Sequence, residues 1–438
     1  MTETEGPKSK ETLSVAISYL LDHLGYSDQR IKERCYFAAK SSFAKCESTK
    51  RILKNTEIEK IFIGSQSDGT GLTRLSDIDM LQVNHAVICV ENANDVPDKR
   101  LVAFKLDYKS TPTGYSQLLL INKGTDERFA EIKYALVYRN GKQYLSSDRF
   151  MTRNDDVFLK SKGFIGRNTC YYPRKGPSIP KYVKETYLEQ FANYCTGFDL
   201  PKQSMDFIRA FPCKSKSLLK SWSQSNKTSK WPSQKMKDVI MTLPMHVVPV
   251  GHKTSRNRGN EWRVSFTMAE QYLVQSFNNS QVKLLVLLKL IAKHLLHPIS
   301  PDITSYIMKH VTFWILAKHA EAEFKLEHLY QQTEISLLFL KSSIESGKLL
   351  HFIATKRNLF EQKISKAHKT KLLEKVTFLL DNGQSIVSQF LWDTNELGKF
   401  LVVREEIKKM AIASAVDNTE NFKTTLFSYK SFSDYMEN

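Results

Sequence analysis

The sequence lacks any apolar run approaching the roughly 18–20 residues that span a bilayer. Its best stretch, Leu284 to Ala292, is interrupted by Lys289, so no membrane-spanning helix is expected. Cysteine is sparse: Cys35, Cys46, Cys89, Cys170, Cys195 and Cys213 are scattered through 438 residues. None lies two to four positions from another, and no Cys/His cluster has ligand spacing. A disulfide framework and a zinc ribbon are thereby excluded. The opening residues, MTETEGPKSKET, are polar and carry acids, unlike a secretory or transit peptide, so the expected compartment is the cytoplasm, with the nucleus second. Internal repeats are absent. With 41% apolar and 11% aromatic residues the chain is rich enough to build a large core, which excludes a disordered protein. The length suits two or three domain-sized units, or one large two-lobed body.

What the chain does have is positive charge, formally +18, and it is concentrated. Gln29 to Lys54 holds eight basic residues against two acids, and Arg209 to Arg263 holds twelve against two. Together the windows carry +16 of the excess. One such window is commonly a solvated face; two that absorb almost the whole excess point to a polyanion, because each phosphate neutralised by Lys or Arg releases condensed counterions. The candidate contacts are Arg30, Lys32, Lys50, Arg51 and Lys54 in the first window, and Lys214, Lys216, Lys227 and Lys230 in the second. Neither window pairs its charge with a strong apolar face, so a membrane surface fits less well.

Apolar periodicity predicts helices over Thr12–Leu24 and from Ser27 onward, then a strand over Ile61–Ile63. Short strand-like runs follow at Asp79–Val83, Ala86–Val90, Leu101–Leu106, Gln117–Ile121, Tyr134–Tyr138 and Met205–Phe211. From Phe266 the period becomes helical. The fold class is therefore α+β, with a sheet-centred lobe followed by an all-helical lobe. The expected division is a flexible stretch over 1–10, a core lobe over 11–260 and a helical lobe over 261–438. Lys214 to Lys237, rich in Ser and Lys, reads as a helix pair or a surface loop.

The sharpest local signal runs from Gly64-Ser65 to Asp77-Ile78-Asp79. A strand feeds a Gly-Ser pair, a loop bearing Gly69 and Gly71 follows, and the next strand opens with Asp-x-Asp. Residues i and i+2 of a strand face the same way, so Asp77 and Asp79 present two carboxylates together. Like charges that close repel unless a cation lies between them, and hard divalent ions suit oxygen donors. A glycine admits close approach of a phosphate, and the Ser65 hydroxyl can donate to it. An isolated Asp-x-Asp is more often an acidic turn; the preceding strand, Gly-Ser pair and loop argue against that. Two-metal phosphoryl chemistry needs a third acid, and Asp206, alone in the apolar run MDFIRAF, is the candidate. The loop Gln66–Ser76, with its two glycines, reads as flexible until a ligand orders it.

These residues, with the string Glu261 to Glu270 (EWRVSFTMAE), Pro249-Val250-Gly251-His252, Thr304-Ser305-Tyr306 before Lys309, Phe352-Ile353 and Asn358-Leu359-Phe360, resemble in their order the cGAS-like receptor family of Mab-type nucleotidyltransferases. The resemblance implies two Mg²⁺ (or Mn²⁺) ions held by Asp77, Asp79 and Asp206, with Gly64 and Ser65 on the donor phosphates. It further implies Arg263, Ser265 and Glu270 at one nucleobase, Lys289 and Ser305 on phosphate, and Tyr306 stacking on a base. The activity implied is synthesis of a cyclic dinucleotide from two NTPs in innate immune sensing, switched on by double-stranded nucleic acid, with dimerisation on that ligand. No Cys or His stands between Phe266 and Leu284, where cGAS carries its zinc insertion, so zinc is not expected and double-stranded RNA is favoured over DNA. Ile63 stands where cGAS has a hydroxyl residue near the base, which leaves the bases open. The alternatives are an inactive Mab-type scaffold, an oligoadenylate-synthase-like or tailing enzyme, and a plain RNA-binding protein.

Overall fold

A computed structural model of the chain describes residues 7–53, 57–71, 78–152, 169–171, 176–183, 204–225, 231–319, 323–360 and 364–383. The chain forms two compact units, one of Met1–Tyr182 with Gln203–Gly383, the other of Val183–Lys202 with Gln384–Asn438; the description below is of the first. Its helices are α1 (Pro7–Leu21), α2 (Asp28–Leu53), α3 (Gly64–Ser67), α4 (Asp126–Ala130), α5 (Ser147–Thr152), α6 (Lys216–Ser225), α7 (Gln234–Thr242), α8 (Thr267–Gln275), α9 (Asn279–Ile291), α10 (Ser305–Lys318), α11 (Leu329–Ser346) and α12 (Lys366–Asp381). Its strands are β1 (Ile58–Ile63), β2 (Ile78–Asn84), β3 (Val87–Val90), β4 (Val102–Asp107), β5 (Tyr115–Asn122), β6 (Leu136–Arg139), β7 (Lys142–Leu145), β8 (Thr169–Tyr171), β9 (Ser178–Val183), β10 (Ser204–Lys214), β11 (Met245–Val248) and β12 (Glu261–Ser265). The molecule is mixed helix and sheet.

The long strand β10 organises the sheet. Its first half pairs in parallel with β2 and antiparallel with β9, and its second half pairs with β11 and β3. The order runs β1-β2-β10-β11-β12-β5-β4-β3, and β3 returns to β10, so six of these strands close a ring. Closure leaves no free edge on that side. Phe150 of α5 meets Phe211 of β10 and Trp262 of β12, with ring centroids 5.2–5.3 Å apart. Trp262 is fully buried and its indole N–H donates to the Leu145 carbonyl at 2.8 Å, which satisfies its one polar group. Truncating such a ring to Ala costs about 3–5 kcal/mol.

Helices dominate from Thr267 onward. Asn278 caps α9 by accepting from the Gln281 amide, while the Gln281 side chain accepts from the Asn278 amide, a reciprocal box that satisfies two otherwise orphaned donors. Apolar all round between Leu284 and Leu288, α9 is buried on every side, as such a helix must be. Further along, α11 ends at Gly347 in the left-handed conformation (φ 66°), where a side chain would be strained. The N-terminal helix α1 packs on this bundle: the Tyr330 amide donates to Ser14 at 3.0 Å, and the buried Lys283 ammonium reaches Ser18 at 2.7 Å and Asp22 at 2.8 Å.

The strands predicted from apolar runs are present at β1, β2, β3, β4, β5, β6 and β10, and the Ser/Lys-rich segment holds α6 and the start of α7. The first helix starts earlier than expected and breaks at Gly25 (φ 85°). Glu261–Ser265 is a strand inside the sheet, between β11 and β5.

Candidate functional site

The site begins where β1 and β2 meet β10. Ile63 pairs with Asp79 across the antiparallel β1–β2 ladder, and Asp79 pairs with Asp206 across the parallel β2–β10 ladder. Register partners point to the same face on strands roughly 4.8 Å apart, so two carboxylates distant in sequence stand side by side, both half-buried. Asp77 lies outside the described residues. Gly64 turns the chain after β1 with φ +71°, and a Cβ placed on it would fall 2.2 Å from Asp79 Oδ2. The missing side chain is therefore the space beside the carboxylate. Ser65 lies in the single turn α3, and its carbonyl accepts from the Gly71 amide at 2.7 Å.

The loop that follows is tied down over its described part. The Asp68 and Ser67 donors both reach the Gly64 carbonyl at 3.1 Å. Gln275 of α8 donates to the Ser67 carbonyl at 3.1 Å, and Arg34 of α2 donates to the Gly69 carbonyl at 2.8 Å. Gly69 is a close-approach glycine: a Cβ would meet the Ile31 carbonyl at 2.6 Å and Cys35 Sγ at 2.8 Å. Over Gly64–Gly71 the loop expected to be flexible makes these contacts, and Gly69 serves close packing. Residues 72–77 lie outside the described set.

Asp68, which the sequence reading passed over, is 1% exposed. Its Oδ1 accepts from the Thr70 amide at 3.1 Å and from the Thr70 hydroxyl, and Lys309 of α10 lies 3.1 Å from Oδ2. Lys289 of α9 donates to the Thr70 hydroxyl. Burial alone would raise the Asp68 pKa, but Lys289 and Lys309 hold it at about 2. Burial conversely pulls the Lys289 ammonium down to about 8, against the pull of Asp68.

A second group surrounds Glu270 on α8. The Tyr306 hydroxyl donates to Glu270 Oε1 at 3.1 Å, His351 Nε2 lies 3.4 Å from the same oxygen, and His310 Nε2 lies 4.0 Å from it. Burial opposes ionisation of Glu270, yet the hydrogen bond from His351 and the nearby His310 and Lys309 hold it well below the usual carboxylate range. Burial and Glu270 push the Tyr306 hydroxyl up, so it stays a donor. Glu270, His310 and His351 are close enough to hold a metal ion, their ligand atoms lying within 4.8 Å of one another. Their hydrogen bonding argues against it. His310 Nδ1 accepts from the Phe352 amide at 3.1 Å, and His351 Nδ1 accepts from the Ile353 and Ala354 amides at 3.1 and 3.0 Å. A neutral imidazole that accepts at Nδ1 carries its proton on Nε2, so both rings present N–H toward Glu270.

Beside this group, Arg263 on β12 is half-buried opposite Tyr115; burial and the neighbouring Arg357 lower its pKa. Arg357 lies over the Tyr115 ring at 5.4 Å, a cation–π contact. The Ser265 hydroxyl bonds Thr267 at 2.7 Å, and Ser305 is the exposed first residue of α10. The structure therefore groups Asp79 with Asp206 and Gly64, Lys289 with the loop, and Arg263, Glu270 and Tyr306 at the helical side.

The model of the Mab-21 protein nucleotidyltransferase domain matches residues 97–276, and that of the Mab-21 protein HhH/H2TH-like domain matches residues 280–378. The chain belongs to the Mab-21 family. That family includes the cGAS-like proteins, and its first domain is a nucleotidyltransferase fold. No curated protein matches the chain. In this Mab-21 protein Asp206, Arg263, Ser265 and Glu270 fall within the first matched domain and Lys289, Ser305 and Tyr306 within the second, whereas Gly64, Ser65 and Asp79 precede both.

Of the residues expected to touch nucleic acid, Arg30 pairs with Glu33 at 3.3 Å and Lys32 with Asp28, both along α2. Such pairs along a helix are worth only about 0.3–0.5 kcal/mol and leave the charge available. Lys214 and Lys216 are exposed where β10 runs into α6. Lys50 and Arg51 lie in a part of α2 whose side chains are not described; Lys54, Lys227 and Lys230 lie outside the described residues. Among the described residues no helix is long and apolar enough to cross a membrane.

Proposed function

We propose that this Mab-21 protein is a nucleic-acid-activated nucleotidyltransferase that joins two NTPs into a cyclic dinucleotide, a second messenger of innate immune sensing in the cytoplasm, with double-stranded RNA as the favoured activator. The observation that carries the reading is the register of Asp79 against Asp206 with Gly64 turned beside them. Paired oxygen donors suit a hard divalent cation, and the absent Cβ lets the Asp79 carboxylate lie against the Gly64 backbone. Asp79 and Asp206, with Asp77, would hold two Mg²⁺ or Mn²⁺ ions, which when bound neutralise triphosphate charge and make a ribose hydroxyl more acidic. Gly64 lets the backbone approach the donor phosphates, and Ser65 donates to them. Lys289 adds a cation at the phosphates. Arg263 offers a fork of donors to a base edge. Glu270 is engaged by Tyr306 and His351, so its part is to fix the Tyr306 ring against which a base stacks.

The basic faces at α2 and at the β10–α6 junction would take the polyanion, with two copies assembling on it. Because Gly64–Gly71 is already tied down, activation on this reading works elsewhere than by ordering that stretch. The test incubates purified protein with four labelled NTPs and Mg²⁺ or Mn²⁺, with and without double-stranded RNA or DNA. Phosphatase-resistant cyclic product made only with RNA, and abolished by Asp206→Asn with polyanion affinity intact, is the expected result. Ladders of product would mean a tailing or oligoadenylate enzyme; RNA retention without turnover would mean a binding protein or scaffold.

A further inference from the structure

Asp68 takes no part in the chemistry set out above, yet it is a deeply buried acid on which three elements converge. Its own loop supplies the Thr70 amide and hydroxyl, α10 supplies Lys309, and α9 reaches it through the bond from Lys289 to Thr70. Burying an ion costs several kcal/mol unless its partners are well placed. Here one carboxylate pairs directly with the Lys309 ammonium and is reached by Lys289 through the Thr70 hydroxyl. The loop they hold begins at Gly64, whose Cβ position lies 2.2 Å from Asp79 Oδ2, so the clamp abuts the acid pair. The carbonyls of Gly64, Ser67 and Gly69 are held as well, by donors from within the loop and from α8 and α2. Such convergence is more than a surface loop needs to stay folded.

We propose that Asp68 is a positioning residue: it clamps Lys289 and Lys309, and with them α9 and α10, to the Gly64–Gly71 loop, so that both ammonium groups meet a nucleotide triphosphate from fixed positions. The triphosphate rests on the nucleotidyl-transfer reading; the clamp rests on the loop contacts alone. The two parts are separable by experiment on the full chain with Asp68→Asn, which keeps the shape and removes the charge.

Amide hydrogen exchange without nucleotide reads the clamp. In the unaltered protein the Asp68, Thr70 and Gly71 amides should exchange slowly, since they donate to Gly64, Asp68 and Ser65. In Asp68→Asn the Thr70 and Gly71 amides should exchange at least about tenfold faster, a change of about 1.4 kcal/mol in opening, with the β1–β2 ladder unaffected. Binding of a non-hydrolysable GTP or ATP analogue with Mg²⁺ reads the consequence: Kd should rise about tenfold, and Asp68→Asn/Lys309→Met should bind no worse than Lys309→Met alone, because the residues act as a unit. If Asp68→Asn does not fold, Thr70→Val removes the bridging hydroxyl and should shift both readouts in the same direction by less. Unchanged exchange in whichever variant folds, or multiplicative losses in the double variant, overturns the proposal. Faster exchange in a chain that binds non-hydrolysable analogues of none of the four NTPs keeps the clamp and removes the nucleotidyl-transfer reading.

Discussion

Gly64→Ala is the most exacting single change available. Two costs are built into the position. The φ of +71° lies in the left-handed region, where a Cβ meets the following carbonyl at a cost of about 1–2 kcal/mol. The new methyl would also sit 2.2 Å from Asp79 Oδ2, about an ångström inside an ordinary contact. Asp79 cannot yield by sliding, because ladders on both sides fix its backbone; its carboxylate must rotate away, adding about 1–3 kcal/mol as overpacking. The expected loss is about 2–5 kcal/mol together with loss of nucleotidyl transfer. Gly347→Ala is the control: φ is +66° and nothing lies within 4 Å of the new Cβ, so only the conformational cost of about 1–2 kcal/mol remains. Thermal unfolding of the two variants, with transfer measured in parallel, separates strain from the Asp79 contact. Equal destabilisation with transfer intact in Gly64→Ala would refute the placement of the Asp79 carboxylate beside Gly64.

Two further outcomes are expected. The Asp68 carboxyl is held at about 2 against an ordinary 3.8. A folded value below the unfolded one makes the ionised form stabilising, fully so above about pH 4 and progressively lost as pH falls toward 2, by about 2 kcal/mol. The stability gap between the unaltered protein and Asp68→Asn should therefore narrow between pH 6 and pH 2.5; a constant gap would contradict the ion cluster. Protein purified from zinc-supplemented medium should carry no zinc at Glu270, His310 and His351, and His351→Gln should cost about 1–3 kcal/mol by stranding two buried amides and a carboxylate. Stoichiometric zinc that His351→Gln removes would overturn the tautomer argument.

The sequence made β1, β2 and β10 readable because each is an apolar run bounded by turn residues, and the Gly-Ser pair and the acids were visible within them. That Asp79 and Asp206 are neighbours was not readable from spacing; it follows from the parallel pairing of β2 with β10. Glycine supplies either freedom or room, and at Gly69 the Ile31 and Cys35 contacts show that room is needed, which no local pattern in the sequence marks. Nothing local marks Asp68 and Thr70, since Asp and Thr are common in any loop and their partners Lys289 and Lys309 stand on helices far along the chain. The histidines were invisible as a group, because His310 and His351 meet only when α10 packs beside the turn after α11. The strand β12 is five residues long and lacks clean alternation, so it read as a motif rather than as part of the sheet.

The central claim is that Asp79 and Asp206, joined by Asp77, are ligands of divalent metal. Titration of Mn²⁺ by electron paramagnetic resonance, in the presence of a non-hydrolysable NTP, addresses it without requiring turnover. Two bound ions per chain are predicted for the unaltered protein, with loss of at least one in both Asp79→Asn and Asp206→Asn while the fold persists. The same stoichiometry and affinity in all three proteins would contradict the account.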